Sequence, residues 1–309
     1  MFRIVVGYHG DNDYLNHSLV NLYNKCKEVS ISWALRPTDI DDLRDMFSSS
    51  WFDPNEYAIV FMNEKPIGTC WAHSGNVNVI RLCIDPDLQQ WIAVDVIRAI
   101  MTWARNSFES RNAHGIVYIS SWEYMGFHHR LIREALSGTF YLEKCSTTLM
   151  IYEGRVPEPR IPEGYRIRAG SLSDVPNMVN VFNKAFSIYE WFEPWRIEDA
   201  MRYYGRRKPI IYVAVNELGD IVGYVDGEIF KALDGYLTGV VGTLAVDPKH
   251  QRRGLGKALV ATMVKNLEKQ GVKRIYLDSI EGLDPLYTKL GFKEYIRWMK
   301  IVLPISSLP

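Results

Sequence analysis

A short turn in the second half of the chain combines glycines and basic side chains at a spacing typical of phosphate-binding sites. Two glycines let a phosphate approach the main chain, and the neighbouring arginines and lysine add positive charge. The pattern predicts a ligand with two or more phosphates; the alternative is a surface turn whose basic residues are only solvated. The residues of the turn are Gln251, Arg252, Arg253, Gly254, Leu255, Gly256 and Lys257.

Two predicted elements flank the turn and would position it. Small and β-branched residues over 240–246 predict a buried strand, which Pro248 ends because proline cannot extend the hydrogen-bond ladder. Apolar residues then recur at helical spacing from Leu259 to Leu267 and predict a helix. The first N–H groups of a helix have no internal partner, and the helix dipole favours negative charge there. Strand, turn and helix together therefore predict an anion site.

The spacing within the turn excludes two nucleotide-binding loops. Ala258 stands where a nucleotide-triphosphate loop needs Ser or Thr, and Leu259 stands where a dinucleotide fingerprint needs its third glycine. Gln-x-x-Gly-x-Gly instead resembles the GNAT superfamily of N-acetyltransferases, which bind the pyrophosphate and pantetheine of acetyl-coenzyme A with this turn. The flanking L-A-V-D-P at 244–248 and L-Y-T-K-L-G-F at 286–292 strengthen the resemblance.

The resemblance implies roles for the preceding strand and for one tyrosine. The backbone of Leu244, Ala245 and Val246 would lie beside the pantetheine arm. A main-chain N–H near Val246 would face the thioester oxygen and contribute to an oxyanion hole. Tyr287, four residues before Gly291, holds the position of the acid that protonates the departing thiolate.

Two positions depart from the family pattern, and two glycines agree with it. Ile280 and Leu283 stand where these enzymes often have an asparagine and a small residue. Gly239 and Gly242 permit a β-bulge in the strand, which the family uses to open a gap for the cofactor.

The acceptor amine would meet acidic and aromatic side chains before the turn. Two acids lie on the same side of a predicted strand by period two, and the others belong to an aromatic stretch over 189–195. One of these acids could act as general base, although a solvated surface role is the alternative for each. The candidates are Tyr189, Glu190, Trp195, Asp226 and Glu228.

Short sequence matches in the same order suggest that the two halves of the chain repeat one fold. A proline-rich linker at 154–164 separates a first copy at 30–153 from a second at 165–309, and residues 1–29 form an N-terminal extension that covers a sheet edge or packs between the domains. The predicted fold class is α/β: two tandem GNAT-like domains, each a mixed, mostly antiparallel sheet with helices on both faces.

The first copy lacks the features of the site. Residues 87–93 contain neither glycine nor a basic side chain, and Asp87 brings a carboxylate to where phosphates would lie. Glu134 aligns with Tyr287. One cofactor site per chain is therefore expected, in the second domain.

Composition favours a cytoplasmic globular protein. Lys+Arg and Asp+Glu are 36 each, with the excess of positive charge in the second half, which is too small to indicate nucleic acid. No apolar run approaches the roughly 20 residues that span a bilayer. The four cysteines show neither zinc-site spacing nor an evident disulfide pattern, so reduced thiols and no metal are expected.

The leading hypothesis is an acetyl-coenzyme A-dependent N-acetyltransferase that acts on a primary amine, either a small molecule or a protein amine, through its second domain. The alternative is a non-catalytic module that binds coenzyme A as a sensor or serves protein interaction. A third possibility keeps the enzyme but changes the acyl group or makes a protein N-terminus the acceptor. The sequence leaves the oligomeric state open.

Overall fold

A computed structural model describes residues 1–121, 126–154, 156–272, 274–280 and 282–309. The chain divides into two compact units. Unit 1 comprises Met1–Ser146 and Arg297–Pro309, and unit 2 comprises Thr147–Ile296. Arg155, in the predicted linker, lies outside the described residues.

Unit 1 is built on a sheet in the order β1-β2-β3-β4-β5, completed by the end of β12. Neighbouring strands are antiparallel except β4 and β5, which are parallel. Its elements are β1 (Phe2–Val6), α1 (Asp13–Glu28), α2 (Ile40–Ser48), β2 (Tyr57–Met62), β3 (Lys65–Ser74), β4 (Asn78–Ile84), α3 (Gln90–Ser110), β5 (Ile116–Ser121), α4 (Phe127–Ala135) and the start of β6 (Leu142–Tyr152).

Unit 2 repeats this element order. Its sheet runs β7-β8-β9-β10-β11 and ends on β6, and only β10 and β11 are parallel. Helix α7 packs on one face of the sheet, and α5 and α6 pack on the other. The elements are β7 (Tyr165–Ala169), α5 (Val175–Phe186), α6 (Ile197–Arg207), β8 (Ile210–Asn216), β9 (Ile221–Lys231), β10 (Leu237–Val246), α7 (Leu255–Lys269), β11 (Arg274–Ile280), α8 (Asp284–Thr288) and β12 (Phe292–Pro304).

The chain changes unit within two strands, so the boundaries of the units differ from those predicted at 153 and 165. In β6, residues 147–151 pair with β11, and in β12, residues 301–304 pair with β5. The last strand of the sequence therefore contributes to unit 1, although it was predicted to belong wholly to the second domain. Backbone hydrogen bonds do not depend on side-chain identity, so the residues of these strands could not reveal their partners.

Residues 1–29 are part of the core of unit 1 and not an extension before it. Strand β1 pairs along β2 and forms the sheet edge, while Leu19, Leu22 and Cys26 of α1 are buried. Phe2 precedes Tyr165 by 163 positions, and the ends of β4 and β10 differ by 162. The two units are thus in nearly constant register.

One expectation about the cysteines is wrong. Cys26 of α1 and Cys83 of β4 form a disulfide, with Cα atoms 6.2 Å apart. Both side chains are buried where α1 packs against the sheet, and a separation of 57 residues in the sequence hid this proximity. Among the described residues, Cys70 and Cys145 take no part in a disulfide. No described helix is long and apolar enough to cross a membrane.

Candidate active site

A bulge interrupts β10 and separates it from its neighbour β11. The pairing of β10 with β9 shifts register between Val241 and Leu244, as the glycines at 239 and 242 predicted. Parallel pairing with β11 runs from Thr238 to Val241 and stops at the bulge. Beyond it, residues 244–246 pair with β9 and with no other described strand, so their other edge faces a gap in the sheet.

The backbone of β10 presents hydrogen-bonding groups to this gap. The N–H of Asp247 donates to Val222 O at 2.9 Å. Because bonding alternates along an antiparallel pair, the N–H groups of Leu244 and Val246 point away from β9. The side chain of Ala245 packs against the α5 face of the sheet, and that of Val246 packs against the α7 face. The main-chain donors of 244 and 246 are therefore directed toward the gap.

The predicted phosphate turn joins this strand to the N-terminus of α7. Gly254 caps the helix with a φ of 95°, a left-handed conformation that favours glycine, and no side chain caps the helix. A Cβ on Gly256 would meet only Leu244, at 3.7 Å, and one on Gly254 would meet only Pro162, at 3.8 Å. The main chain here is open to an anion, and the uncapped N–H groups are available to it.

The basic and polar side chains of the turn divide into two groups. Arg252 and Lys257 are exposed and make no hydrogen bond to the described residues, so both can turn toward a bound phosphate. Gln251 and Arg253 have intramolecular partners: Gln251 Nε2 donates to Val246 O at 2.9 Å, and Arg253 donates to the Tyr165 hydroxyl at 3.1 Å. Gln251 thus fixes the end of β10 to the turn. Leu255 is buried and anchors the helix.

Tyr287, on the short helix α8, has a buried ring and no hydrogen-bond partner for its hydroxyl among the described residues. The residue is 6 % exposed, and its ring lies edge-on to Phe292 at 6.3 Å. Burial raises the pKa of its phenol to about 12, and the nearby Tyr189 and Asp284 contribute to the same shift. The hydroxyl is therefore protonated at neutral pH and can donate.

The aromatic segment reaches the site from the loop between α5 and α6. Tyr189, which lies close enough to Tyr287 to affect its pKa, stacks on Trp191 with ring centroids 5.1 Å apart. Trp195 is held by Asn183, which bonds both its N–H and its carbonyl, at 2.9 and 3.1 Å. Glu190 is exposed. The segment thus places Tyr189 beside Tyr287 and Trp195 against α6.

The two acids of β9 are engaged with α6 and are not free carboxylates. Asp226 is 6 % exposed; one oxygen accepts from Thr243 N–H at 2.7 Å and the other from the Tyr204 hydroxyl at 2.5 Å. Glu228 accepts from the Tyr203 hydroxyl at 3.1 Å. Asp226 is therefore poorly placed to take a proton from an acceptor. The tyrosine pair had not been singled out in the sequence, where a Tyr-Tyr step in an amphipathic helix was the only signal.

The corresponding region of unit 1 has carboxylates that are paired with lysines. Asp85 and Asp87, after β4, are bridged by Lys25, and Lys65 also bonds Asp85 at 3.0 Å. Strand β4 pairs with β3 without a register shift. The basic groups here neutralise carboxylates of the same unit, and the described β4 has no bulge.

Comparison with known proteins agrees with this geometry. Residues 176–292 match the family described as the acetyltransferase (GNAT) family. The chain is 30% identical over 149 residues to mycothiol acetyltransferase of Saccharomonospora viridis, covering 44% of this chain and 48% of that protein. It is 44% identical over 54 residues to the ribosomal protein bS18-alanine N-acetyltransferase of Escherichia coli K12, covering 16% of this chain and 36% of that protein.

The fold similarity extends over both units. A solved tandem GNAT protein from the clavulanic acid biosynthesis pathway superposes with a TM-score of 0.67 at 14% identity, covering 99% of each chain. By contrast, the chain spans about half of the length of the mycothiol acetyltransferase and about a third of that of the ribosomal protein acetyltransferase. Fold and site define a tandem protein of the acetyltransferase class. Residues 176–292 are those of a GNAT acetyltransferase domain, and the fold of the whole chain is similar to that of a tandem GNAT protein.

Proposed function

We propose that this protein is an acetyl-coenzyme A-dependent N-acetyltransferase whose reaction takes place in unit 2, on a primary amine. The observation that carries the proposal is the gap beside residues 244–246, which opens next to the exposed N-terminus of α7. The domain roles follow: unit 2 catalyses, and unit 1, which has neither glycine nor a basic side chain at 87–93 and no bulge in β4, does not bind the acyl donor.

On the donor side, the turn at 251–257 binds the phosphates. The N–H groups at the start of α7 and the side chains of Arg252 and Lys257 supply donors and positive charge. Main-chain groups of Leu244 and Val246 bind the pantetheine arm along the gap. Gln251 holds the end of β10 in place through Val246 O, and Arg253 steadies the turn through Tyr165.

Acetyl-coenzyme A supplies the acetyl group as a thioester. The amine nitrogen forms a bond to the acyl carbon, the bond from carbon to sulfur breaks, and the amine proton passes to a general base, directly or through water. The N–H of Val246 donates to the acyl oxygen as negative charge builds. The Tyr287 hydroxyl donates to sulfur as the thiolate leaves; because its pKa is about 12, it acts mainly as a hydrogen-bond donor.

On the acceptor side, the amine approaches through the segment 189–195. Tyr189 lies beside Tyr287, and Trp195 forms part of the wall that α6 provides. Glu190 and Glu228 are the acids with access to the amine, whereas Asp226 has both oxygens engaged. The relatives are a mycothiol acetyltransferase and a ribosomal protein bS18-alanine N-acetyltransferase, so small amines and protein amines both belong in the test.

The decisive experiment follows free-thiol release from acetyl-coenzyme A by the purified full-length chain, with a panel of small amines and amino-terminal peptides. We expect one amine class to raise the release rate well above the rate with donor alone. Binding of the donor with no turnover on any amine would instead favour the coenzyme A sensor. Absence of donor binding would refute the proposal.

A pair of charge reversals on one helix tests the donor site. Lys257→Glu, at the start of α7, should weaken acetyl-coenzyme A binding about 10- to 100-fold, because it places negative charge beside phosphate. Lys269→Glu makes the same charge change at the other end of α7 and should leave binding unaltered. Isothermal titration calorimetry measures both, and equal effects would locate the phosphates elsewhere.

A further inference from the structure

The bulge in β10 is held by one buried carboxylate, that of Asp226. Its Oδ1 accepts from the Thr243 N–H at 2.7 Å, and Thr243 lies within the register shift between Val241 and Leu244. The bond therefore occupies a donor that the bulge removes from ordinary strand pairing. Because the bulge takes this N–H out of strand pairing, the acceptor stabilises the bulged conformation by replacing the lost hydrogen bond.

The same carboxylate reaches the opposite side of the site. Its Oδ2 accepts from the hydroxyl of Tyr204, which α6 contributes. The Tyr204 ring packs against Trp195 with centroids 5.7 Å apart. One side chain on β9 is thus bonded both to the strand that borders the donor gap and to the helix that supports the acceptor wall.

The space around Asp226 is shaped to keep it there. A Cβ built on Gly242 would lie 2.2 Å from Asp226 Oδ1, so the carboxylate occupies the volume that any other residue at 242 would need. Gly242 thus has a packing reason to be glycine. The predicted role of this glycine was bulge formation alone, and the structure adds the carboxylate that packs against it.

We propose that Asp226 is a positioning residue that sets the bulge of β10 and fixes it relative to α6, thereby aligning the acyl donor with the acceptor amine. This inference rests on the proposed function of the same site. Asp226 does not touch the reacting atoms; it acts through Thr243 and Tyr204. An ionised carboxylate accepts both bonds, whereas a protonated one carries an O–H that must itself donate to a neighbour.

The surroundings of Asp226 predict a pH signature. Burial raises the pKa of Asp226 to about 6, with Glu228 of the same strand adding to the shift and the bonds from Tyr204 and Thr243 opposing it. The other groups that face it are Tyr224 on β9 and Tyr203 on α6, and Ile211 pairs with it from β8. Protonation below about pH 6 therefore turns one accepting oxygen into a donor and should weaken the alignment.

The test uses three variants of the full chain: Asp226→Asn, its control Asp234→Asn, and Gly242→Ala. Asp226→Asn keeps the shape but loses the charge, and charged hydrogen bonds are roughly twice as strong as neutral ones. We expect kcat to fall about tenfold with a change in the acetyl-coenzyme A dissociation constant of less than threefold. The acidic limb of kcat near pH 6 should disappear. Asp234→Asn, at a surface turn where Asp234 pairs with Arg274, is the matched control and should change neither.

Stability separates positioning from simple structural support. A raised carboxyl pKa contributes stability that is present below about pH 4 and is lost as pH rises through 6. At pH 8, Asp226→Asn removes the cost of burying the charge, so its thermal midpoint should equal or exceed that of the wild type. If Asp226→Asn has a lower thermal midpoint than the wild type but the same kcat, counted per molecule that binds acetyl-coenzyme A, the role of Asp226 is structural and the proposal is overturned.

Gly242→Ala perturbs the same arrangement while the carboxylate remains. The new Cβ must displace Asp226, and hydrogen exchange of the peptide that contains Thr243 should accelerate in both Gly242→Ala and Asp226→Asn. This readout needs no turnover. Should the wild type acetylate no amine while exchange behaves as expected, the proposed function fails and the inferred carboxylate contact stands; unchanged exchange in both variants refutes the inference itself.

Discussion

Tyr287→Phe removes one hydroxyl from the site and leaves the ring in place. The hydroxyl has no partner among the described residues and the ring is 6 % exposed, so the variant loses no hydrogen bond of the fold and keeps the contact with Phe292. We therefore expect the free energy of unfolding to change by less than about 0.5 kcal/mol. Any loss of activity then reports on the reaction.

The size of that loss follows from the pKa values. A thiol has a pKa of about 8.5, so full proton transfer from a phenol of pKa about 12 to the thiolate is uphill. Hydrogen-bond donation to the forming charge contributes about 1.5–3 kcal/mol, which corresponds to a decrease in kcat of about 10- to 100-fold. The dissociation constant of acetyl-coenzyme A should change little, because the bond strengthens only as charge develops on sulfur.

The assay is thiol release under saturating donor and acceptor, with single-turnover measurements to establish that chemistry limits the rate. Tyr236→Phe, at a residue 68% exposed in the turn between β9 and β10, is the control and should retain full kcat. Because the raised pKa keeps Tyr287 protonated, no alkaline decline of kcat from this group is expected below about pH 11. Full kcat in Tyr287→Phe, with chemistry limiting, would show that water or another group serves this step.

Three further outcomes are expected. Calorimetry should give one acetyl-coenzyme A per chain, because residues 87–93 of unit 1 lack the glycines and basic side chains of the turn; two equal sites would contradict this assignment. Trp195→Ala should raise the acceptor KM far more than the donor KM in initial-rate kinetics, and the reverse would move the segment to the donor side. A hydrogen bond from Arg168 lowers the pKa of Asp174 to about 2, so Asp174→Asn should reduce the free energy of unfolding at pH 7 by about 1–2 kcal/mol, allowing for the half-exposed arginine. In denaturant unfolding, the difference in this free energy between variant and wild type should shrink as pH falls from 4 through 2. A difference that stays constant over this range would exclude the ion pair as its cause.

The donor side of the site could be predicted from the sequence because its chemistry is local. A strand, two glycines and a helix N-terminus follow one another within about 30 residues, and local geometry brings them together. The structure confirms the strand, the bulge and the helix. It also shows that Gln251 and Arg253 bond within the protein, a detail that depends on Val246 O and the Tyr165 hydroxyl and so on the packed arrangement.

The acceptor side could be predicted only in part. Aromatic residues over 189–195 were visible, but the partners of Asp226 lie 17 and 22 positions away, on β10 and α6. Period-two spacing placed Asp226 and Glu228 on one face and could not show that the first is buried. The tyrosines at 203 and 204 had no spacing that pointed to chemistry.

By itself, the sequence determined the strand, the glycine turn and the helix of the candidate donor site and the repetition of one fold, because each depends on residues close in the chain or on element order. Tertiary structure decided which strands complete each sheet, that Cys26 meets Cys83, and that Asp226 joins β10 to α6. These contacts join segments that are distant in the sequence. They depend on backbone hydrogen bonds and on burial, which the residues next to each position in the sequence do not reveal.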